Sequence, residues 1–310
     1  MRIFVTGATG VIGRRLVPLL HDAGHEVTAV ARWRGAHARL AAHGATAVTL
    51  DLFDPAAVRR AVEGHDVVVN LATHIPHPSR MFLPWAWREN DRLRREASSV
   101  LSDACLATDV TRLVQESFAP VYPDCGKQWI DESIPIKPVR YNHTILDAEC
   151  SALRFSHGGR TAVVLRFGAF YGPDALQTTQ FIKYVAKGWA PLPGTANAYF
   201  SSISHDDAAA AVAAAVTLPT GTYNVVDDEP VTHREYVDSL AQALGVAPPK
   251  LLPAWTARLF GSLGELVARS TRISNRRLRA ESSWAPRYRS VRQGWSVLLA
   301  QVRGELAWGL

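Results

Sequence analysis

Seven residues, Gly7-Ala8-Thr9-Gly10-Val11-Ile12-Gly13, carry the clearest chemical signal in this chain. Three glycines at intervals of three follow the β-rich run Arg2 to Thr6 and precede a helical pattern from Arg14 to Ala23. Glycine at such a junction permits a tight turn and lets backbone N–H groups approach a diphosphate. It also lets the helix pack on the strand with its positive end toward the phosphates. The pattern predicts a dinucleotide site with Gly7, Thr9, Gly10, Val11, Ile12 and Gly13 as its phosphate turn. At the end of the second predicted strand, nineteen positions after Gly13, stands Arg32 where an acid would hold a ribose 2′-hydroxyl. A guanidinium suits a 2′-phosphate, so NADP(H) is preferred and NAD(H) stays open as the alternative; Arg34 is placed to assist. Asp51-Leu52 follows the third predicted strand, where a carboxylate can accept from an adenine amino group.

Other chemistry has weaker support. His74 and His77 lie three apart in a proline-containing loop with no acid or thiolate beside them, so no metal site is expected. That loop leaves the carboxyl edge of the fourth predicted strand, which makes His74 a substrate or nicotinamide contact instead. No GxSxG elbow or Cys/His pairing appears in a fitting context for nucleophilic catalysis. Trp85, Trp87, Trp129, Phe170 and Trp189 are candidates for an apolar substrate pocket, although most aromatic residues serve the core.

The elements that must position these residues alternate. Ile3–Thr6, Glu26–Ala31, Ala47–Leu50, Val67–Leu71, Leu113–Gln115 and Ala162–Phe167 read as strands separated by helical patterns, the rhythm of a parallel sheet. Continuous apolar runs such as Val67-Val68-Val69 fit strands covered on both faces. The fold class is α/β, a doubly wound parallel Rossmann sheet with a smaller interleaved α/β substrate lobe. The expected division assigns 1–172, with about 200–228, to the dinucleotide-binding domain, and 173–199 with 229–310 to the smaller lobe. A late strand, Thr222 to Val226, is expected to return to the sheet. Asp54 is expected to cap a helix opened by Pro55, and Asp206 the alanine-rich helix of 207–217.

The glycine turn, Asp51-Leu52, Asn70-Leu71-Ala72-Thr73 and Leu165-Arg166-Phe167-Gly168-Ala169-Phe170-Tyr171-Gly172-Pro173 together resemble the extended short-chain dehydrogenase/reductase family, the NAD-dependent epimerase/dehydratase group. Ser204-His205-Asp206-Asp207 and Tyr223-Asn224-Val225 look like the same family's later landmarks. The resemblance implies a nicotinamide cofactor touched also by Leu71, Ala72, Thr73, Phe167 and Gly168, with Phe118 and Phe170 toward the substrate. In that family a tyrosine exchanges a proton with the substrate, helped by a lysine four residues on and by a serine or threonine. Tyr141 matches the tyrosine, but Ile145 stands in place of the lysine. Phe118 occupies the hydroxyl position and Ser117 sits one residue early, reaching the site only if a bulge turns it back. Without a cation close by, Tyr141 is expected to keep an ordinary phenol pKa and to donate a proton more readily than accept one. Asn90 matches a helix asparagine that organises a water or backbone group near the tyrosine, and Glu149 an acid eight residues after it.

Composition is that of an ordinary soluble domain, with 47% hydrophobic and 20% charged residues in 310. The net charge of +6 is carried by residues 269–303, away from the motifs, which argues against nucleic acid as a partner. Three cysteines without a pairing pattern, no signal-peptide pattern at the start and no long apolar run point to a cytoplasmic protein that does not enter the membrane. The expected function is NADP-dependent reduction of a carbonyl on a small metabolite with Tyr141 as proton donor. The alternatives are a non-redox lyase, cyclase or isomerase on the same fold, or a catalytically silent NADP(H) sensor. By family resemblance alone, helices around 88–107 and 141–157 are candidates for a homodimer interface.

Overall fold

The computed structural model describes residues 1–172 and 174–307, the side chains of 301–307 excepted. Pro173 and residues 308–310 therefore lie outside the described residues.

Seven parallel strands form the centre: β1 (Arg2–Thr6), β2 (Glu26–Val30), β3 (Ala45–Val48), β4 (Val67–Asn70), β5 (Arg112–Phe118), β6 (Thr161–Phe167) and β7 (Gly221–Val225). Their order across the sheet is β7-β6-β5-β4-β1-β2-β3, so winding reverses at β1 and β4 and opens a crevice at their carboxyl ends. Register places Ile3 between Val27 and Val67, and Val114 between Val69 and Val163. The period of two then divides the core. Ile3, Val5, Val67, Val69, Val163 and Leu165 face one hydrophobic cluster, while Phe4, Val68, Leu113, Ala162 and Val164 face the other. Each fully buried aliphatic side chain contributes roughly 1.5–3 kcal/mol, which explains why these strands are apolar without alternation.

The first cluster is covered by α1 (Gly13–Asp22) through Leu16, Val17 and Leu20, and by the alanine-rich helix His205–Ala215. The second is covered by helices Pro55–Val62, Ser98–Leu106 and Ile145–Arg154. A separate hydrophobic cluster joins helices Leu176–Ala186, His233–Leu244 and Val291–Ala307 around Tyr236 and Trp295.

Asp54 does cap its helix, accepting from the N–H groups of Ala56 and Ala57 at 3.0 Å. The alanine-rich helix starts two residues earlier than the sequence suggests. Ser204, not Asp206, is its cap, accepting from the Asp207 N–H at 3.0 Å. Strand β3 likewise begins at Ala45 because Gly44, at φ +82°, turns the chain straight into the ladder with β2. Asp207 ties the same helix to the chain's last third by accepting from the Arg287 N–H at 2.7 Å, so Ser204–Asp207 serves as a clamp. Among the described residues no helix is long and apolar enough to cross a membrane.

Candidate active site

The glycine turn is built by close approach. Gly7 adopts φ +66°, and a Cβ there would stand 2.3 Å from the Leu71 carbonyl oxygen. A Cβ on Gly13 would stand 2.3 Å from the Gly7 carbonyl oxygen, so any side chain would push α1 off β1. The Gly10 N–H closes the turn on the Gly7 carbonyl at 2.9 Å. Next to it the strand ends are sewn together. Thr6 donates to Asn70 Oδ1 at 2.6 Å, and Asn70 Nδ2 donates to Gln115 Oε1 at 2.9 Å.

A cleft of about 350 Å³ opens above this turn. Gly7, Thr9, Gly10, Arg32, Asp51, Leu52, Leu71, Ala72 and Thr73 all line it, residues that the sequence analysis assigned to a dinucleotide. Val11, Ile12, Gly13, Phe167 and Gly168 are not on its walls. Ile12 and Gly13 form the start of α1, Val11 packs against the core, and Phe167 is buried in it. Gly168 is held by its N–H on the Val225 carbonyl at 3.0 Å. Glu89 and Leu93 line the cleft without having been singled out, and their i, i+4 spacing on one helical turn was the available signal. Arg32 is exposed and has no acid within ion-pair reach among the described residues. Asp51 shapes its loop by accepting from the Phe53 N–H at 3.0 Å. A cradle that only glycine fits, a free cation and a carboxylate in one cleft fit a dinucleotide.

The stretches around Ser117 and Tyr141 differ from expectation in two linked ways. Ser117 does not face the cleft: it is buried, and its hydroxyl donates to Glu149 Oε1 at 2.5 Å. The register of β5 admits no bulge that would turn it back, since Ser117 pairs with Arg166 and Phe118 with Phe167 in unbroken order. Glu149 is the hub of this buried network. Arg166 grips it with Nε at 2.8 Å and Nη2 at 2.6 Å, and also donates to the Tyr122 hydroxyl at 2.9 Å. Tyr122 in turn donates to Asn224 Oδ1 at 2.9 Å. Ile145 is fully buried in an apolar cluster with Val121, Ile130 and Ile273, and the half-buried Phe118 packs on the same cluster. Ile145 and Phe118 share one apolar cluster, and neither side chain leaves an unpaired polar atom in the core.

Tyr141 sits just before the helix Ile145–Arg154, half-buried, its ring meeting Trp87 edge-on at 4.4 Å. Its phenol does not keep an ordinary pKa. Burial raises it, the Arg94 guanidinium partly opposes this, and Asp91 adds to it. Tyr141 lines a cavity of about 690 Å³ with Trp87, Arg88, Asp91 and Arg140. The short helix Arg88–Arg92 borders both spaces, with Glu89 lining the cleft and Arg88 and Asp91 lining the cavity. Asn90 on that helix is fully buried and accepts from the His74 N–H at 3.0 Å, fixing the loop after β4. Phe170 packs on Phe167 and on the buried His205, with ring centroids at 5.3 and 5.9 Å. Among the described residues no group of three or more His, Cys, Asp or Glu side chains is placed to hold a metal.

Comparison with known proteins adds to this geometry. The model of the NAD dependent epimerase/dehydratase family matches residues 3–225. The chain is 34% identical over 307 residues to a 3-diazoavenalumate denitrifying reductase from a Streptomyces species, covering 95% of this chain and 99% of that one. It is 28% identical over 291 residues to a 2-alkyl-3-oxoalkanoate reductase from Shewanella oneidensis, covering 86% and 72%. Among solved structures, a human epimerase family protein with NADPH superposes with TM-score 0.81 at 21% identity, covering 96% and 99%. The Thermus thermophilus UDP-glucose 4-epimerase complex with NAD gives TM-score 0.77 at 25% identity, covering 98% and 99%.

Proposed function

Because the chain belongs to the NAD-dependent epimerase/dehydratase family, we propose that it is an NADP(H)-dependent reductase of a small organic acid with Tyr141 as proton donor. Its reductase relatives support an NAD(P)-dependent reductase in general terms, and both are named for acids, 3-diazoavenalumate and 2-alkyl-3-oxoalkanoate. When bound, the dinucleotide supplies the hydride.

The observation that carries the reading is a phenol without a base. Tyr141 lines the cavity beside Trp87, while Ser117 is engaged by Glu149 and Ile145 is packed in the core. A phenol raised by burial stays protonated at neutral pH. It can give its proton to the alkoxide that forms as a carbonyl is reduced, because an alkoxide is the stronger base. It cannot take a proton from an alcohol as readily, so the site favours reduction over oxidation. Arg32 favours the 2′-phosphate, and Asn90 acts as a positioning residue through the His74 backbone. The test is NADPH oxidation by Tyr141→Phe with 3-oxo acids. A loss of about 10²- to 10⁴-fold in kcat is expected for removal of a general acid, and unchanged kcat would sink the donor role.

A second reading is favoured by the relative that matches nearly the whole chain. An acceptor carrying a diazonium group takes hydride at carbon as the C–N bond breaks and dinitrogen leaves. That exchange balances without a proton. Under this reading Tyr141→Phe retains turnover of an aromatic diazonium acid, and dinitrogen forms in equal amount to NADPH consumed.

A further inference from the structure

The cavity beside Tyr141 carries two arginines that no acid among the described residues pairs with. On the helix Arg88–Arg92 and the turn after it, Arg92 pairs with Glu96, Arg94 with Glu116 and Arg95 with Asp147, but Arg88 has no acid within reach among the described residues. Arg140, which lines the same cavity, has none either among the described residues; its backbone carbonyl accepts from His143 Nδ1 at 2.8 Å. The one acid of this wall, Asp91, accepts from the Thr144 hydroxyl at 2.8 Å. Two unpaired guanidinium groups on a concave surface next to an aromatic ring are suited to an oxyanion of planar, bidentate geometry.

The cavity continues into a groove of about 360 Å³, within the range of roughly 300–1,000 Å³ usual for ligand pockets. Met81, Phe82, Phe260 and Leu263 border both spaces, and the Phe82 and Phe260 rings meet at 5.1 Å between them. Beyond that pair the walls are Phe181, Tyr184, Trp189 and Leu192, with Gln177 and Gln180 as polar side chains and no charged residue. Trp189 is 46% exposed, although a large aromatic side chain normally covers its surface. A diphosphate would find no cation in this groove, whereas a ring or extended hydrocarbon would meet aromatic faces throughout.

We propose that the ligand of this joined space is a carboxylate on an aromatic or extended apolar body, its carboxylate held by Arg88 and Arg140 and its body passing Phe82 and Phe260 into the groove. The proposal rests on the reading of the Tyr141 cavity as the substrate site, and it names the substrate class. It also separates this site from one built for a sugar nucleotide.

The test is calorimetric titration with 4-phenylbutanoate and with its neutral isostere 4-phenylbutanamide, each at saturating NADPH and again without it. The acid is expected to bind at least tenfold more tightly than the amide. Arg88→Gln with Arg140→Gln should bring the acid to the affinity of the amide and leave the amide unchanged. Trp189→Ala should weaken both ligands alike. Equal binding of acid and amide, no binding of either, or a preference that survives the double substitution overturns the proposal. Because these readouts are affinities of compounds that cannot be reduced, they stand apart from the reductase reading. That reading fails instead if NADPH does not bind, or is not consumed with 3-oxo-3-phenylpropanoate.

Discussion

Arg32→Ala should change cofactor choice and almost nothing else. Arg32 is exposed at the rim of the dinucleotide cleft and makes no ion pair or side-chain hydrogen bond among the described residues, so its removal leaves no buried partner stranded. Surface substitutions of this kind stay within about 0.5 kcal/mol in stability. A charge-assisted hydrogen bond to a 2′-phosphate contributes about 1.5–3 kcal/mol when sheltered, and an exposed ion pair about 0.2–1 kcal/mol. A guanidinium at a half-open rim lies between these, at roughly 1–2 kcal/mol, or about 5- to 30-fold in Kd. Quenching of tryptophan fluorescence by NADPH and NADH, with wild type and variant at one ionic strength, measures this directly. NADPH should weaken by that factor while NADH shifts less than about twofold, and the NADPH difference should shrink in high salt. If both cofactors weaken equally, or neither does, Arg32 is not reading the 2′-phosphate and the preference for NADP(H) has lost its physical basis.

Three further outcomes follow from the buried residues. Glu149→Ala leaves Arg166 buried without its partner and should destabilise the chain by about 3–5 kcal/mol in urea unfolding, whereas Glu149→Leu with Arg166→Met should recover most of the loss; equal losses in both would contradict the network's account. Ile145→Lys does not restore a relay but puts an ammonium among Val121, Ile130 and Ile273, so the melting temperature should fall and reductase activity should not rise. His233 is held down to about 4 by burial, with neither ring nitrogen hydrogen-bonded among the described residues. An unfolded imidazole takes its proton near 6.5, so the folded state binds fewer protons and stability is lost as pH falls from about 6.5 toward 4. His233→Phe should therefore lose about 2 kcal/mol less than wild type between pH 7 and pH 5, and parallel urea midpoints in the two proteins would refute this.

Much of the architecture is legible because it rests on local rules. Strand β1, the three glycines and α1 follow from the backbone freedom that Gly7 and the closeness that Gly13 require, and both demands act within a dozen residues. The apolar runs of β4 and β6 announce burial on both faces, and Asp54 before Pro55 announces a helix start. Boundaries were less clear where two caps competed, as at Ser204 and Asp206, since both residue types can cap and only the three-dimensional partner decides.

By itself, then, the amino-acid order determined the parallel sheet, the glycine turn after β1 and a cation just past the end of β2, because each depends on backbone geometry or on one residue's position near a strand end. The tertiary structure alone decided the surroundings of Ser117, Ile145 and Tyr141. Whether Ser117 meets the cleft or Glu149 depends on the register of β5 against β6, and the fate of Ile145 depends on segments as distant as Ile130 and Ile273. The protonation of Tyr141 depends on how much water Trp87 and its neighbours exclude. Desolvation and side-chain direction are properties of packed surfaces drawn from remote parts of the chain, and no spacing along the sequence encodes them.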